Sequence, residues 1–524
     1  MSGMMWSPAA ALAMIILTAF CMRAFIRRPT SRQPPEIKGT IPYLSTSFQY
    51  MTDAGGFLAR VKGLMQSAQS NIVKFYIGLT PAYIVAASTN VRRVLNSPDD
   101  LDGTFLQLVL MDGHWSLSKD EINKFRNDKS GRSKIPAPGT ENTPQDQRYW
   151  HGHDRLFAEY LSARKYSDAL AASFSQLFSD RISKLACNEW VTIRLFGSLR
   201  ETMAESAMIS LFGSRLVELN PGIVDLYWEF DKVAGPLAWG PPRFLQRRSV
   251  RIRNRLHEMT RKHIDSAWEH FDWDGPAAES LWEPHFGSRL SRETAKWLRQ
   301  NGFSNHAAAG HTLASLVGLN GNTVPATAWA IIHLVQDPFL LAAIRKEALS
   351  AFTTDEDTET LRLHVSFNPM RKAVKPLNIQ GYNIEKGALV QTCSHIAHLE
   401  EAVWATEGHP ASEFWAWRHI KTVAEVDKTS GETVHRQRFT MAGRPSSFFP
   451  YGGGCVMCPG RHFAKQEILL AIAIMVTKFD MEFDHWVNPD GSKSHKAPED
   501  DRSFAGFVVT PPDRDMMMRW RLSE

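Results

Sequence analysis

The stretch from Phe449 to Arg461 reads FPYGGGCVMCPGR and joins a glycine-rich loop to two cysteines, Cys455 and Cys458. An apolar segment follows and predicts a helix from about Arg461 to Phe479. Glycines let a backbone pass close to a flat ligand without a side-chain clash. A thiolate at the start of a helix is stabilised by the helix dipole and by unpaired backbone N–H groups. The stretch therefore predicts a site in which a cysteine thiolate binds a flat cofactor.

Two kinds of site are compatible with these cysteines. A thiolate can bind haem iron and push electron density towards cleavage of an O–O bond. The alternative is a zinc or redox Cys-x-x-Cys pair made by Cys455 and Cys458, with His462 as a further ligand. One pair and an apolar helix supply too few ligands for a closed zinc site. The haem interpretation is therefore favoured.

The loop resembles that of the cytochrome P-450 family of haem-thiolate mono-oxygenases, which runs aromatic, Gly, x, Gly, three residues, Cys, x, Gly. The matching residues here are Tyr451, Gly452, Gly454, Cys458 and Gly460, with Tyr where Phe is more usual. Cys455 fails the same spacing, because Met457 stands where glycine is needed. The resemblance implies haem b (iron protoporphyrin IX) as cofactor and Cys458 as its axial iron ligand. It also places Phe449 and Gly452 in the cofactor-binding loop.

Two further motifs occur in the order that the family shows. Glu359 and Arg362 stand at i and i+3, where a carboxylate and a guanidinium share a helix face and can pair. The segment from Phe414 to Arg418 resembles the family's aromatic-x-x-x-Arg segment. The resemblance implies that Glu359, Arg362 and Arg418 form a buried structural network behind the haem.

Haem propionates need basic partners, and three residues are candidates by resemblance. Arg371 lies nine residues after Arg362, where relatives supply one, and His153 and Arg155 belong to a helix that begins near Trp150. The family often has Trp-x-x-x-Arg here, but in this chain the arginine is displaced by one position. An exposed arginine with no role in haem binding is the alternative for Arg155.

The segment from 304 to 335 is long and mainly apolar and predicts a buried central helix. His306, His311 and the two asparagines at 320 and 322 argue against a membrane span. Asn322-Thr323 aligns with the acid-threonine pair that the family carries above the iron, so an amide replaces the acid. The resemblance implies that Thr323, with Asn322, manages proton delivery to dioxygen.

The residues after Thr323 resemble one branch of the family. Val324-Pro325-Ala326-Thr327 and the tail from 502 to 515 are similar to the sterol 7α-hydroxylases and prostacyclin synthase, with many fungal relatives. Pro325 has no N–H, so the Gly321 carbonyl loses its helical partner. That carbonyl and the local kink could hold water or dioxygen, and a plain packing kink is the alternative.

The N-terminus predicts a membrane anchor. Residues 4–22 carry no charge and, at about 1.5 Å each, span about 28 Å, close to the thickness of a hydrocarbon core. Three arginines follow, at 23, 27 and 28, which favours cytosolic placement of what comes next. A cleaved signal peptide is the alternative, although its charges would precede the apolar run. We expect an anchor at 1–28, a proline-rich linker at 29–39 and a catalytic domain at 40–524, on the cytosolic face of the endoplasmic reticulum membrane.

Composition limits the class of protein. The chain has 524 residues, of which 43% are hydrophobic and 22% charged, so disorder and a polytopic membrane protein are excluded. A net charge of +5 gives little support to nucleic-acid binding. Five cysteines are too few for a disulfide scaffold and favour a reducing compartment. Mostly helical periodicity predicts a mainly α fold with small β-sheets, and the apolar N-terminus adds one transmembrane helix. The resemblance implies that this fold is the cytochrome P-450 fold.

Three local patterns make further predictions. Residues 75–87 predict two strands around a turn at Thr80-Pro81. Residues 123–147 are polar and rich in Lys, Asn, Gly and Pro, which predicts a mobile loop. Asp337-Pro338 predicts the N-cap and first position of a helix that continues to about Phe352.

The predicted function is insertion of one oxygen atom from O2 into a hydrophobic small molecule in secondary-metabolite biosynthesis. A terpenoid, sterol, polyketide or alkaloid would suit the apolar regions that the resemblance places near substrate, which are Phe105–Leu110, Val365–Asn368 and Phe507–Val508. Electrons are expected from an NADPH–cytochrome P-450 reductase, because no dinucleotide-binding fingerprint is present. Arg461 and Lys465 would face that partner, or else form a solvated helix face.

Two other functions remain open for this sequence. One is a haem-thiolate isomerase or dehydratase that needs no external electrons, which the likeness to prostacyclin synthase suggests. The other is a non-catalytic haem-binding sensor or electron carrier, which would not need Thr323 or a large substrate cavity. A mono-oxygenase forms product only when NADPH is supplied, whereas an isomerase or dehydratase needs no NADPH and a sensor or electron carrier forms no product.

Overall fold

A computed structural model describes residues 33–240, 243–350, 357–426, 432–441, 446–504 and 509–523. The predicted anchor lies outside these residues, and so does most of the predicted linker. The helices of the described residues are α1 Leu44–Thr52, α2 Ala54–Ser67, α3 Ser88–Asn96, α4 Thr104–Gly113, α5 Lys119–Asn127, α6 Tyr149–Ser162, α7 Arg164–Ser183, α8 Leu195–Phe212, α9 Ser214–Leu219, α10 Ile223–Trp239, α11 Arg247–His270, α12 Arg289–Gln300, α13 Asn305–Gln336, α14 Pro338–Ser350, α15 Asp357–His364, α16 Ser394–His398, α17 Glu401–Trp404 and α18 Arg461–Lys478.

The strands are short and form small sheets. Their bounds are β1 Ile72–Ile77, β2 Thr80–Val85, β3 Leu101–Asp102, β4 Val191–Arg194, β5 Trp282–Glu283, β6 Gly287–Ser288, β7 Met370–Ala373, β8 Leu377–Ile379, β9 Tyr382–Ile384, β10 Leu389–Thr392, β11 Ile420–Val426, β12 Thr433–Phe439, β13 Phe479–Val487, β14 Lys493–Ser494 and β15 Asp515–Leu522. The largest sheet has the order β1-β2-β10-β7-β3, and a second has the order β14-β13-β15-β4. The remaining described strands pair two by two. The mainly helical fold with small sheets is confirmed.

Helix α13 runs through the centre of the main hydrophobic core, as its apolar sequence predicts. Ser304 caps its start, because the Ser304 hydroxyl accepts a hydrogen bond of 3.1 Å from the Ala307 N–H. Most of its side chains are buried, and it packs against α8, α11 and α18. Asp337 caps the next helix in the same way, accepting from the Leu340 N–H at 3.0 Å, so this prediction is confirmed.

No single helix among the described residues has the length and apolarity that crossing a membrane requires. Two successive helices, Asn305–Gln336 and Pro338–Leu349, reach that threshold only when taken together, and the chain bends by 117° between them. Helix α13 is instead buried inside the protein, in agreement with its polar residues.

Two local predictions need correction. The hairpin β1–β2 turns at Gly78-Leu79, not at Thr80-Pro81, since Ile77 pairs with Thr80 and Tyr76 with Pro81. Gly78 has a φ of 58°, which glycine adopts at little cost, so the turn forms there. Residues 123–127, predicted as part of a mobile loop, complete helix α5. A capping box between Ser118 and Glu121 starts that helix and lets its polar sequence remain helical.

Candidate active site

A cavity of about 770 Å³ lies between the middle of α13 and the loop that precedes α18. Its volume falls in the range of about 300–1,000 Å³ that is typical of ligand pockets. Helix α13 contributes Gly318, Asn322 and Thr323 to its wall, and the loop contributes Cys458. The structure thus brings together the two groups of residues that the sequence singles out, although about 135 positions separate them along the chain.

Glycine conformation shapes the cysteine loop, here defined as residues 449–460. Gly452 and Gly454 have φ values of 72° and 68°, in the left-handed region that favours glycine. A Cβ on Gly454 would lie 1.8 Å from the Leu95 carbonyl oxygen, so no other residue fits there. The Cys458 N–H donates a hydrogen bond of 3.0 Å to the Tyr451 carbonyl and closes the loop.

The two cysteines of the loop differ in what they face. Both cysteines are accessible to solvent, but only Cys458 is among the residues that line the cavity. Enclosure of the Cys458 sulphur by protein raises the pKa of its thiol. The backbone N–H groups of Gly460 and Arg461 and the charge of Arg461 act in the opposite direction. These donors at the start of α18 are placed to stabilise a metal-bound thiolate.

The described residues contain no group of three or more His, Cys, Asp or Glu side chains arranged to hold a metal ion. Cys455, Cys458 and His462 therefore do not assemble a zinc site. The surroundings of Cys458 fit haem better, because one sulphur faces a large cavity. On the α13 wall Gly318 has no side chain, and a Cβ there would meet no atom within 4 Å. A flat cofactor can lie between such a helix face and the sulphur.

The hydroxyl of Thr323 has two oxygen atoms within hydrogen-bond distance. It lies 2.7 Å from the Leu319 carbonyl oxygen and 3.2 Å from Oε1 of Glu467. Glu467 lies on α18, is fully buried and lines the cavity. Burial raises the pKa of Glu467 well above the usual range of a carboxylic acid, and the hydrogen bond from Thr323 lowers it only in part. Burial therefore favours the neutral form of the Glu467 carboxyl beside Thr323.

Analysis of the sequence did not single out Glu467. One signal could have found it, since Glu467 follows Phe463 by four residues and precedes Ala471 by four on an otherwise apolar helix face. Asn322, by contrast, is engaged elsewhere. Its side-chain oxygen accepts a hydrogen bond of 3.2 Å from the Val509 N–H and so fastens the C-terminal segment to α13.

Glu359 is the centre of a buried network behind the cysteine loop. Its carboxylate binds Arg362 through two hydrogen bonds of 2.7 Å and Arg418 through one of 3.2 Å. His419 completes the network at 2.9 Å, a contact that the sequence did not predict. Burial by itself raises the pKa of Glu359, but the hydrogen bonds from Arg362 and His419 outweigh it and hold the pKa below its ordinary value.

The two arginines also bind the surrounding backbone. Arg362 donates to the carbonyls of His398 and Ala411, and Arg418 donates to those of Trp404 and Pro410. These bonds join helix α15 to the segment that leads into the cysteine loop. The network is therefore structural in its geometry, because it satisfies backbone acceptors and does not line the cavity.

The candidate propionate partners occupy three different environments. Arg371, on β7, is buried and donates to the carbonyls of Met370 and Gly453, the latter in the cysteine loop. His153 lines the cavity, and its Nε2 lies 3.1 Å from Nε2 of His311 on α13. Arg155 is exposed and is not a cavity-lining residue, so the structure does not bring it to the site.

Phe449 and Gly452, which the sequence assigned to cofactor binding, contact the protein around the cysteine loop. Phe449 is buried against Val91 and Leu95, and its N–H donates to Nε2 of His398 at 3.1 Å. A Cβ on Gly452 would lie 3.4 Å from the Phe367 ring. Both residues therefore set the course of the backbone towards Cys458.

The regions expected to contact substrate reach the cavity in two of three cases. Leu106 and Leu110 of α4 line it, and so do Phe367 and Asn368. Phe507 and Val508 lie outside the described residues. Most of the wall is apolar, and among the polar exceptions is Asp231, whose pKa burial raises to about 6.

Comparisons with known proteins agree with this geometry. A sequence model of the cytochrome P-450 family matches residues 234–512. The chain is 41% identical over 512 residues to cytochrome P-450 monooxygenase calL of Penicillium decumbens, covering 94% of this chain and 93% of that protein. It is 24% identical over 382 residues to cholesterol 7-alpha-monooxygenase of Cricetulus griseus, covering 65% and 68%.

A solved structure has the same fold. Retinoic-acid-bound cyanobacterial CYP120A1 superposes with a TM-score of 0.64 at 14% identity, and the match covers 94% of this chain and 100% of that one. At this identity the likeness concerns the fold alone.

Proposed function

Because this chain belongs to the cytochrome P-450 family, we propose that it holds haem b through Cys458 and inserts one oxygen atom from O2 into a hydrophobic small molecule. The protein is a haem-thiolate mono-oxygenase that uses O2 and electrons from a redox partner. The observation that carries the residue assignment is that Cys458 and Thr323 line one cavity. Haem, when bound, supplies the redox chemistry that activates dioxygen.

The protein's own contribution is a proton supply at the α13 wall. Cleavage of an O–O bond consumes protons, and a positioned hydroxyl can deliver them. Burial favours the protonated form of Glu467, and its Oε1 lies 3.2 Å from the Thr323 hydroxyl oxygen, so its carboxyl can give a proton to that hydroxyl. Asn322 cannot ionise, and its role is to hold Val509. Glu467 thus takes the place of the acid that this chain lacks at position 322.

The substrate is a mainly apolar molecule of terpenoid, sterol, polyketide or alkaloid type. The cavity wall supports this class, because most of its lining surface is apolar. Leu106, Leu110 and Phe367 provide apolar surface, while His311 and Asp231 can orient a polar substituent. The proposal places the protein in secondary-metabolite biosynthesis.

The redox partner in this proposal is an NADPH–cytochrome P-450 reductase, which would bind to the surface around Arg461. The Arg461 guanidinium donates to the Cys458 carbonyl at 3.0 Å, which connects that surface to the cysteine loop. Residues 1–28 would anchor the protein to the endoplasmic reticulum membrane, with the catalytic domain in the cytosol. A chain that starts near Pro34 is expected to keep its carbon monoxide spectrum and to move partly to the soluble fraction. Loss of haem binding in that chain would contradict an anchoring role.

Incubation of microsomes that contain this protein and the reductase with a library of lipophilic metabolites tests the function. We expect a product that is heavier by one oxygen atom, formed only with NADPH and absent with Cys458→Ala. Conversion without NADPH would favour an isomerase or dehydratase. Ligand-induced spectral shifts without any product would favour a sensor or an electron carrier.

A further inference from the structure

Hydrogen bonds hold the polar segment between α5 and α6 in place on both sides of Arg132. Buried Arg148 donates to the Ser130 hydroxyl and to the carbonyls of Ser133 and Lys134. In the same segment, the Arg132 carbonyl oxygen lies 3.0 Å from Nδ1 of His151 on α6. The backbone of residues 130–134 is therefore held against the first turn of α6.

The Arg132 side chain packs against the N-terminal turns of α6. Its guanidinium lies 4.2 Å from the centre of the Trp150 ring. Its Nη1 forms an ion pair of 2.6 Å with Asp154, and its Nη2 donates to Gln107. Trp150 and Asp154 are four residues apart and so share one helix face. Asp154 thus holds a guanidinium at the end of this face, although the arginine comes from another segment.

Arg132 retains an unused donor. Its side chain is only 10% exposed, and its Nε is buried without a hydrogen-bond partner among the described residues. A buried donor without an acceptor costs about 1–3 kcal/mol. This atom is therefore a place where a further acceptor would stabilise the protein.

Arg371 approaches the same region from β7. The residue is 4% exposed and forms no ion pair within 4.0 Å among the described residues. Asp102 is nearby, but its Oδ1 accepts from the N–H and the hydroxyl of Thr104. Burial lowers the pKa of Arg371; the charges of Cys455 and Asp102 oppose this effect, and that of Arg132 adds to it.

The two arginines approach the same helix, α4. Nε of Arg371 lies 3.2 Å from the position that a Cβ on Gly103 would take, directly before α4, and Arg132 donates to Gln107 on that helix. Two guanidiniums at one poorly solvated helix favour an anion beside them.

Both guanidiniums stand behind the edge of the cavity. Gln107 and His153, which bind Arg132 and Asp154 respectively, line the cavity, and Arg371 binds the Gly453 carbonyl of the cysteine loop. Propionates project from the edge of haem as carboxylates. Guanidinium groups bind carboxylates with short, charge-assisted hydrogen bonds.

We propose that Arg132, and not Arg155, binds a haem propionate together with Arg371, and that Asp154 is the residue that positions Arg132. This inference rests on the haem site proposed above. In the family's Trp-x-x-x-Arg pattern, the arginine is the fourth residue after the tryptophan. Here that residue is Asp154, which binds the Arg132 guanidinium from the preceding segment. Arg132 thus takes the place of the arginine that is absent from position 154.

The test compares purified haem-loaded Arg132→Gln with the matched variant Arg155→Gln, which removes the same charge from an exposed site. Transfer of haem to apomyoglobin is expected to be about 10- to 100-fold faster for Arg132→Gln and unchanged for Arg155→Gln, as loss of one charge-assisted hydrogen bond predicts. Resonance Raman spectra provide a second readout, since a propionate bending band should shift in Arg132→Gln while the iron–sulphur band stays. Asp154→Asn, which keeps the guanidinium but loosens it, should shift the same bending band.

Several outcomes overturn the proposal. It fails if Arg155→Gln shifts the bending band and Arg132→Gln does not. It also fails if Arg132→Gln loses haem faster with unchanged bending bands, because the residue would then be structural alone. Failure of the haem site itself is recognised separately, since the wild-type protein would then lack the carbon monoxide spectrum of thiolate-ligated haem.

Discussion

At the scale of single residues, Cys458 and Cys455 show how position decides the chemistry of a cysteine. They are three residues apart in one loop, yet only Cys458 lines the cavity. Gly454 has a left-handed backbone conformation and packs against Leu95, which sets the course of the loop between the two cysteines. The loop backbone therefore places Cys458, and not Cys455, where the proposed axial ligand must lie.

Cys458→Ala is expected to abolish the red-shifted Soret band that reduced, carbon monoxide-bound haem-thiolate proteins give, because the thiolate is lost. Cys455→Ala is the matched control and should keep the band, since Cys455 is not among the residues that line the cavity. Absorbance spectra of the two reduced variants under carbon monoxide decide the point. Loss of the band in Cys455→Ala alone would reverse the assignment.

Thr323 and Glu467 form the second pair whose roles depend on position. Glu467→Gln keeps the volume of the side chain but cannot supply a proton. We expect product formed per NADPH consumed to fall by about tenfold or more, with hydrogen peroxide rising to match, because a positioned acid contributes about 10²–10⁴-fold to rate. Thr323→Ala should behave in the same way, since it removes the hydroxyl that Glu467 contacts.

Two conservative variants serve as controls for this prediction. Thr323→Ser keeps a hydroxyl and should keep most of the coupling. Asn322→Asp should be tolerated, because a carboxylate oxygen can still accept from the Val509 N–H. Unchanged coupling in both Thr323→Ala and Glu467→Gln would remove these residues from the proton path.

At the scale of elements, the Glu359 network joins helix α15 to the residues that precede strand β11. Helix α15 carries Glu359 and Arg362, while Arg418 and His419 come from the turn before β11. Each arginine also satisfies backbone carbonyls of the segment between them. Arg362 also donates to the His398 carbonyl, and Nε2 of His398 accepts from the Phe449 N–H, so the network supports the start of the cysteine loop through His398.

Glu359→Gln is expected to lower the free energy of unfolding by about 3–5 kcal/mol and to yield little haem-loaded protein, because it leaves two buried guanidiniums without their carboxylate. Glu258→Gln is a matched control. Glu258 and Arg261 have the same i, i+3 spacing on α11, but both are exposed, so the loss should stay below about 1 kcal/mol. Thermal unfolding and haem content of both variants are the measurements. Equal effects would show that burial of the pair does not matter.

At the scale of the whole molecule, burial of histidines makes stability depend on pH. Burial lowers the pKa of His114 and His257 to about 4, and that of His263, His311 and His398 to about 3. Above the ordinary histidine pKa of 6.5 these groups are neutral in both states, so stability does not depend on pH through them. Below it the unfolded chain binds protons that the native protein does not, so stability falls by about 1.4 kcal/mol per pH unit for each histidine. The loss continues down to their folded pKa values.

His263 offers the clearest test, because neither ring nitrogen has a partner among the described residues. His263→Leu is expected to stabilise the protein by about 1–3 kcal/mol at neutral pH, since it removes unsatisfied buried polar atoms. The gain should grow as the pH falls from 7 to 5. Calorimetric unfolding temperatures at several pH values measure it, with exposed His270→Leu as a control whose effect should not vary in this way. A gain that is independent of pH would contradict the burial argument.

The sequence by itself determined the features that depend on local geometry. Spacing selected Cys458 over Cys455, because the loop conformation depends on glycines a few positions away. The i, i+3 spacing placed Glu359 and Arg362 on one helix face, and the Ser304 and Asp337 caps marked helix starts. Such features need only neighbours in the chain, so backbone stereochemistry and hydrogen-bonding capacity decide them.

Only the tertiary structure decided which distant side chains meet. Glu467 contacts Thr323 across 144 positions because α18 packs on α13, and no local spacing encodes that approach. Arg132 reaches Asp154 because Arg148 and His151 hold an irregular segment whose sequence resembles a mobile loop. His419 joins Glu359 for the same reason. These contacts depend on how helices and loops pack in three dimensions, where burial rather than sequence separation sets the partners of polar groups.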